Sequence, residues 1–209
     1  MFSLQRLFGK DDKFCQLLEA AAMEAHASVH LVIELIKNSH DQQILDDLAV
    51  ARRKEKKIAE QIGEELVKTF ITGLEREDIE ALSVALRKIP KTAKKFAQRW
   101  QLATRHLEGV DFTRQAELME QASGVVLTMV QQLRNLQQLE KQRDLNDRLQ
   151  YVESEADRLM LELLQELYSG KYDALRAIVI RDLYELIEEV VDCCRDAGNI
   201  VMHIMLENA

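Results

Sequence analysis

Four carboxylates in the second half of the chain have the residue types and the spacing of a metal site. Glu153 and Asp157 form one Glu-x-x-x-Asp pair, and Glu188 and Asp192 form another. On an α-helix a spacing of four residues places both carboxylates on one face, about 6 Å apart. If the two helices lie side by side, these side chains could converge, and their oxygen atoms suit Mg²⁺, Ca²⁺, Mn²⁺ or iron. A solvated acidic face without a metal fits the same spacing.

The corresponding positions in the first half of the chain carry the opposite charge. Subtracting 101 from each residue number leads to Arg52, Lys56, Arg87 and Lys91. If these bases cluster, fixed positive charge replaces the metal, and the cluster could bind an anion such as phosphate. It could also dock the acidic face of a second copy, since basic clusters attract acidic partners. A solvated basic face is again the alternative.

The offset of 101 residues also relates apolar positions of the two halves. Matching pairs include Leu17 with Leu118, Ala21 with Ala122, Val29 with Val130, Leu48 with Leu149, and Leu82 with Leu183. A match that stays in register over this length indicates a tandem duplication. We predict repeat one over residues 13–107 and repeat two over 113–207, after an N-terminal extension over 1–12.

The composition favours helix along the whole chain. Hydrophobic residues make up 47% of the sequence, and only 7 glycines and 1 proline interrupt it. Apolar residues recur at helical spacing, which predicts an all-α fold with two tandem three-helix bundles in a single domain over residues 1–209. The six predicted helices cover about 13–37, 43–69, a third from the turn at 70–79 to 107, 113–138, 143–168 and 173–206. Thr72 and Glu75 match a capping box before the third helix, which contains Pro90.

Charge and motif content argue against several functional classes. Residues 1–105 hold 18 Lys and Arg against 16 Asp and Glu, whereas residues 106–209 hold 10 against 20. Neither half is strongly basic, so the charge does not predict a nucleic-acid-binding domain. Three cysteines without a Cys-x-x-Cys spacing indicate a reduced, cytoplasmic protein. No apolar run reaches the length of about 20 residues that an integral membrane segment needs.

Enzyme motifs are likewise missing from the sequence, which lacks both a His-Glu-x-x-His motif and a glycine-rich phosphate loop. We therefore predict that the chain is not an enzyme. His26 and His30 lie one helical turn apart, which permits a two-histidine metal pair. Packing among their small apolar neighbours explains the same two residues without a metal.

The predicted turn before the third helix contains Phe70-Ile-Thr and, after it, Arg76-Glu-Asp-Ile79. With this turn, the tandem three-helix units and the two Glu-x-x-x-Asp pairs, the chain resembles the PhoU-like family of phosphate-transport regulators. The resemblance extends over essentially the whole chain, and residues 7–14 are similar to stand-alone members that accompany low-affinity phosphate permeases. Repeat one departs from the family, because bases replace its expected acids and Gly73 stands where proline is usual.

The resemblance implies a non-enzymatic, cytoplasmic regulator or accessory protein of inorganic phosphate transport. Its partner would be a phosphate permease or the associated sensor, which would place the protein peripherally at the inner membrane. The family's metal ions would be held by Glu153, Asp157, Glu188 and Asp192, in the C-terminal repeat alone, as Fe, Mn, Mg or Ca; a protein without any metal is the other expectation. The charges also suggest an alternative, a metal-free helical scaffold that forms homo-oligomers or binds an acidic partner through complementary charged faces.

Overall fold

In a computed structural model the chain folds into six long α-helices. The structure describes residues 4–38 and 43–208, with side chains from residue 13 onward. The helices are α1 (Leu4–Lys37), α2 (Gln43–Lys68), α3 (Arg76–Ala103), α4 (Thr113–Gln131), α5 (Leu139–Leu167) and α6 (Ala174–Glu207). Short 3-10 helices at Thr104–His106 and Gln132–Arg134 follow α3 and α4. These described residues contain no β-strand, and the all-α prediction is confirmed.

The connection between α4 and α5 differs from its sequence prediction. α4 ends at Gln131, whereas the apolar pattern predicted a helix to about residue 138, and α5 begins earlier than predicted, at Leu139. The periodicity continues past the helix because Leu133 stays buried from within a 3-10 turn. The buried Gln142 side chain donates a hydrogen bond of 2.8 Å to the carbonyl oxygen of Met129, which satisfies one backbone acceptor at the end of α4.

The turn between α2 and α3 contains no capping box, so that prediction was wrong. α3 begins at Arg76 with Glu75 at its N-cap, and Glu75 makes no side-chain capping bond. The guanidinium of Arg76 instead donates hydrogen bonds to the carbonyl oxygens of Leu66 (2.6 Å) and Thr69 (2.8 Å). The carbonyl of Leu66 lies in the last turn of α2 and that of Thr69 directly follows it, where backbone acceptors have no partner within the helix. One side chain therefore joins the end of α2 to the start of α3.

The six helices form two bundles that share one hydrophobic core. α1, α2 and α3 contact one another, as do α4, α5 and α6, and the bundles join where α3 packs on α6 and α1 on α4. Phe112 lies in the connection between the bundles, with ring centroids 5.0 Å from Trp100 and 5.3 Å from Tyr184. Aromatic pairs of this kind contribute about 0.5–1.5 kcal/mol each beyond the area they bury. The midpoint of the chain is thus fixed against α3 and α6.

The helices are amphipathic rather than apolar on all sides. No helix in the described ranges has both the length and the apolar character that crossing a bilayer requires.

Candidate functional site

The acidic cluster comprises Glu153 and Asp157 on α5 and Glu188 and Asp192 on α6. These helices are neighbours in the second bundle, connected by a short turn in which Gly170 has a φ of 89°. That left-handed backbone conformation favours glycine. On each helix the acids flank a buried apolar face, so packing of the two faces places both Glu-x-x-x-Asp pairs beside one another.

Glu188 is the member of the acidic cluster on which burial and the charges of the other three carboxylates act together. It is partly buried against apolar side chains of α4, α5 and α6, which include Leu118, Leu159, Met160 and Ile187. This burial and, in decreasing order, the negative charges of Asp192, Asp157, Glu153 and Glu189 together raise the pKa of Glu188 to about 7. The other three members of the acidic cluster therefore lie close enough to Glu188 for their charges to act on it.

Arg195 lies among these acids, and the sequence analysis missed it. Its guanidinium nitrogens are 3.5 Å from Glu153, 3.7 Å from Asp192 and 3.5 Å from Asp196. Burial raises the pKa of Asp192, and Arg195 opposes that effect. The spacing of three residues from Asp192 places Arg195 on the same helix face, and this was the available signal. Arg195 supplies within the chain part of the positive charge that a metal ion would bring.

The carboxylate oxygens of the acidic cluster are neighbours, but they are not arranged around a single coordination centre. Among the residues whose side chains are described, Asp78, His203 and Glu207 form a set of possible metal ligands. Their donor atoms all lie within 4.8 Å of one another. The acidic cluster forms no such set. It provides the negative charge for a cation, but coordination would require its side chains to move inward.

The basic cluster comprises Arg52 and Lys56 on α2 and Arg87 and Lys91 on α3. Arg52 forms an ion pair with Glu55, which is only 2% exposed. Burial raises the pKa of Glu55, while Arg52 and Arg87 lower it. Positive charge in repeat one thus partly compensates a buried acid, which the sequence analysis did not single out.

Lys56 also has a partner on α2, because its Nζ atom lies 3.6 Å from a carboxylate oxygen of Glu60, one turn further along the helix. Arg87 and Lys91 remain exposed and make no ion pair with the described residues. The members of the basic cluster therefore differ: two of them have partners on α2, and two are open to an external anion.

The basic and acidic sides meet within one molecule, where α3 packs on α6. Lys88 lies 3.7 Å from Asp196, and Lys95 lies 3.3 Å from Glu189. An open groove of about 820 Å³ runs along this contact, and its lining includes Lys91 and Asp192. Arg52 and Lys91 of the basic cluster and Asp192 of the acidic cluster thus line the same groove, beside lysines of α3 that pair with acids of α6.

The two histidines considered from the sequence contact each other between α1 and α4. The Nε2 atoms of His26 and His30 are 3.1 Å apart, and His26 Nδ1 lies 2.9 Å from the hydroxyl of Ser123. Burial lowers the pKa of His26, His30 lowers it further, and Glu120 opposes both. The two rings thus contact each other and Ser123, and His30 is exposed rather than packed among apolar neighbours.

Comparison with known proteins identifies the fold. No protein-family model matches the chain. In sequence it is similar to UPF0111 protein YkaA of Bacillus subtilis (strain 168), with 24% identity over 208 residues, which cover 96% of this chain and 98% of that protein.

Two solved structures match almost the whole chain. A PhoU-like protein from Shewanella oneidensis MR-1 has a TM-score of 0.79 at 14% identity and covers 93% of this chain and 99% of its own. PhoU from Pseudomonas aeruginosa has a TM-score of 0.73 at 17% identity and covers 96% and 99%. The resemblance inferred from the sequence is confirmed: this chain has the PhoU-like fold.

Proposed function

We propose that the chain is a non-enzymatic regulator of inorganic phosphate transport, which acts by contact with a phosphate permease or its associated sensor. The observation that supports this most is the fold, shared with PhoU from Pseudomonas aeruginosa over 96% of the chain. A match of this extent includes both bundles and the contact between them. Since one fold can serve several functions, the charged groove supplies the second argument.

The groove between α3 and α6 is the surface we assign to partner recognition. Lys91 and Lys94 line it and make no ion pair with the described residues. Cations of this kind attract acidic partners and raise association rates. An acidic segment of the permease or sensor, or phosphate itself, would bind to these bases. Lys88 and Lys95, which already pair with acids of α6, would hold the edge of the groove in place.

The acidic cluster remains our candidate for the regulatory metal site. Its four carboxylates repel one another around Glu188, and a bound Mn²⁺, Mg²⁺, Ca²⁺ or iron ion would relieve that repulsion. The ion would compete with Arg195, which contacts Glu153 and Asp192. Binding would therefore release Arg195 and change the charge beside the groove.

Elemental analysis after reconstitution with manganese or iron tests this metal site. We expect Glu153→Ala/Asp192→Ala to retain less metal through gel filtration than the wild type, because two of the four ligands of the acidic cluster are gone. Arg195→Ala is the matched variant, and it should retain at least as much metal as the wild type since a competing cation has been removed. Equal metal content in the wild type and the double variant would contradict the assignment.

Phosphate uptake by cells tests the proposed function. A strain that lacks the gene should take up phosphate through its permease at an altered rate, and the wild-type gene should restore the original rate. The matched control is uptake of an unrelated anion such as sulfate, which should not change. An unaltered rate of phosphate uptake under both phosphate-rich and phosphate-poor growth would reject the function.

A further inference from the structure

A second cluster of ligand side chains lies at the C-terminal end of α6, about three helical turns beyond Asp192 of the acidic cluster. Asp78 in the first turn of α3 meets His203 and Glu207 near the end of α6, with donor atoms all within 4.8 Å of one another. His203 and Glu207 are one helical turn apart, and His203 Nε2 lies 3.2 Å from a Glu207 oxygen. Because the spacing of four places both on one face, they can approach a single ion together.

Asp78 supplies an independent indication of a ligand. The residue is only 8% exposed, and its Oδ2 atom makes no hydrogen bond. A buried carboxylate oxygen without a partner costs about 1–3 kcal/mol or more, so native proteins rarely leave one unsatisfied. Burial raises the pKa of Asp78, the Glu207 carboxylate raises it further, and His203 opposes this. A cation that also contacts His203 and Glu207 would give the Oδ2 atom of Asp78 its missing partner.

The ends of α3 and α6 around this cluster also favour a bound cation. The first turn of α3 contains the acids Glu77 and Asp78, and the last turn of α6 contains no base. Negative charge is stabilised at a helix N-terminus and positive charge at a helix C-terminus. A cation between Asp78 and the C-terminal end of α6 would interact favourably with the dipole of α6. It would also reduce the repulsion between Asp78 and Glu207.

We propose that Asp78, His203 and Glu207 form a binding site for a divalent transition-metal ion of the zinc and manganese type. One imidazole nitrogen and two carboxylate oxygens form a donor set that these borderline ions accept, with water completing the shell. The ion would fasten the start of α3 to the end of α6, and thus one repeat to the other. This site is separate from the acidic cluster and does not depend on the proposed function.

Titration with Co²⁺, followed by visible absorption, tests the site in the metal-free Glu153→Ala/Asp192→Ala protein, which lacks two ligands of the acidic cluster and serves as the reference protein. We expect a saturable d–d band with one equivalent bound at Asp78, His203 and Glu207. Adding His203→Ala should weaken that binding by more than about 100-fold, because even an outer-shell partner contributes about 10- to 100-fold. Adding Glu207→Gln should weaken it as well. Both side chains are largely exposed, so these variants should fold normally. His30→Ala removes another exposed histidine, and the reference protein should bind equally well with it.

Thermal unfolding gives a second readout. Saturating Co²⁺ should raise the Tm of the Glu153→Ala/Asp192→Ala reference protein, with and without His30→Ala, and should leave the Tm unchanged when His203→Ala is added. Binding that survives unweakened when His203→Ala or Glu207→Gln is added to the reference protein would overturn the inference. Absence of Co²⁺ binding by the reference protein itself would also overturn it.

Discussion

Glu188→Gln is expected to make the metal-free protein more stable than the wild type above pH 7, by about 2 kcal/mol. The glutamine has nearly the same size and cannot ionise. It therefore removes the one carboxylate that the folded state holds among Asp192, Asp157 and Glu153 and against an apolar wall. Below pH 4.5 the protonated glutamic acid and the glutamine should be nearly equivalent.

The direction of this effect follows from proton binding. In the unfolded chain Glu188 loses its proton near the ordinary pKa of 4.5, but in the folded chain it keeps the proton up to a pKa of about 7. Between these values the folded state binds more protons, so the free energy of unfolding falls as the pH rises. The full difference corresponds to about 3 kcal/mol, and solvent screening of this partly exposed group lowers the expected effect to about 2 kcal/mol.

Urea denaturation in the presence of a chelator, from pH 4.5 to pH 8, measures this dependence. The wild type should lose stability across the interval relative to Glu188→Gln. Glu117→Gln changes an exposed acid of α4 outside the acidic cluster, and it should follow the wild type. Parallel curves for Glu188→Gln and the wild type would show that the four carboxylates do not converge on Glu188.

Gly198→Val is expected to destabilise the protein by about 3 kcal/mol or more. Gly198 is buried in α6, where a Cβ atom would lie 2.3 Å from Cδ2 of Leu149 on α5 and 3.5 Å from the sulfur of Met129 on α4. Both neighbours are fully buried and cannot move out to solvent. A valine would therefore force α4 and α5 away from α6, beside the helix faces that carry the acidic cluster.

Gly63→Val is the matched control for this prediction. Gly63 lies exposed in the interior of α2, and a Cβ atom there would meet nothing within 4 Å. Since valine forms helix somewhat better than glycine, the free energy of unfolding should stay equal or rise by a few tenths of a kcal/mol. Equal urea midpoints for Gly198→Val and Gly63→Val would contradict the close approach of α4, α5 and α6.

Periodicity in the sequence predicts the helices well, because their apolar faces are local patterns. Repetition at an offset of 101 residues predicts the two bundles, and it places the acidic and basic clusters on equivalent helices. The capping box at Thr72 failed because Arg76 bonds to carbonyls of α2 instead, a contact between helices that no local spacing reveals.

The candidate sites likewise divide into features set by local spacing and features set by contacts between helices. For the acidic cluster, the helical spacing of each pair and the position of the pairs on consecutive helices predict that the four acids are neighbours, and their role as a metal site stays a prediction. The cluster of Asp78, His203 and Glu207 could not, because its members come from different repeats and meet only when α3 packs on α6. The ion pair of Lys88 with Asp196 likewise depends on that packing. Both residues line the groove between α3 and α6.

Phosphate uptake by a deletion strain that expresses Lys91→Glu/Lys94→Glu tests the central claim most directly, namely that the groove between α3 and α6 regulates phosphate transport. Both lysines line the groove without ion pairs to the described residues, so the variant should fold and yet repel an acidic partner. Lys141→Glu/Arg148→Glu makes the same charge change at exposed positions of α5 outside the groove lining. The account predicts that the groove variant takes up phosphate as the deletion strain does, while the α5 variant restores the wild-type rate. A wild-type rate in cells that contain the folded groove variant would contradict the account.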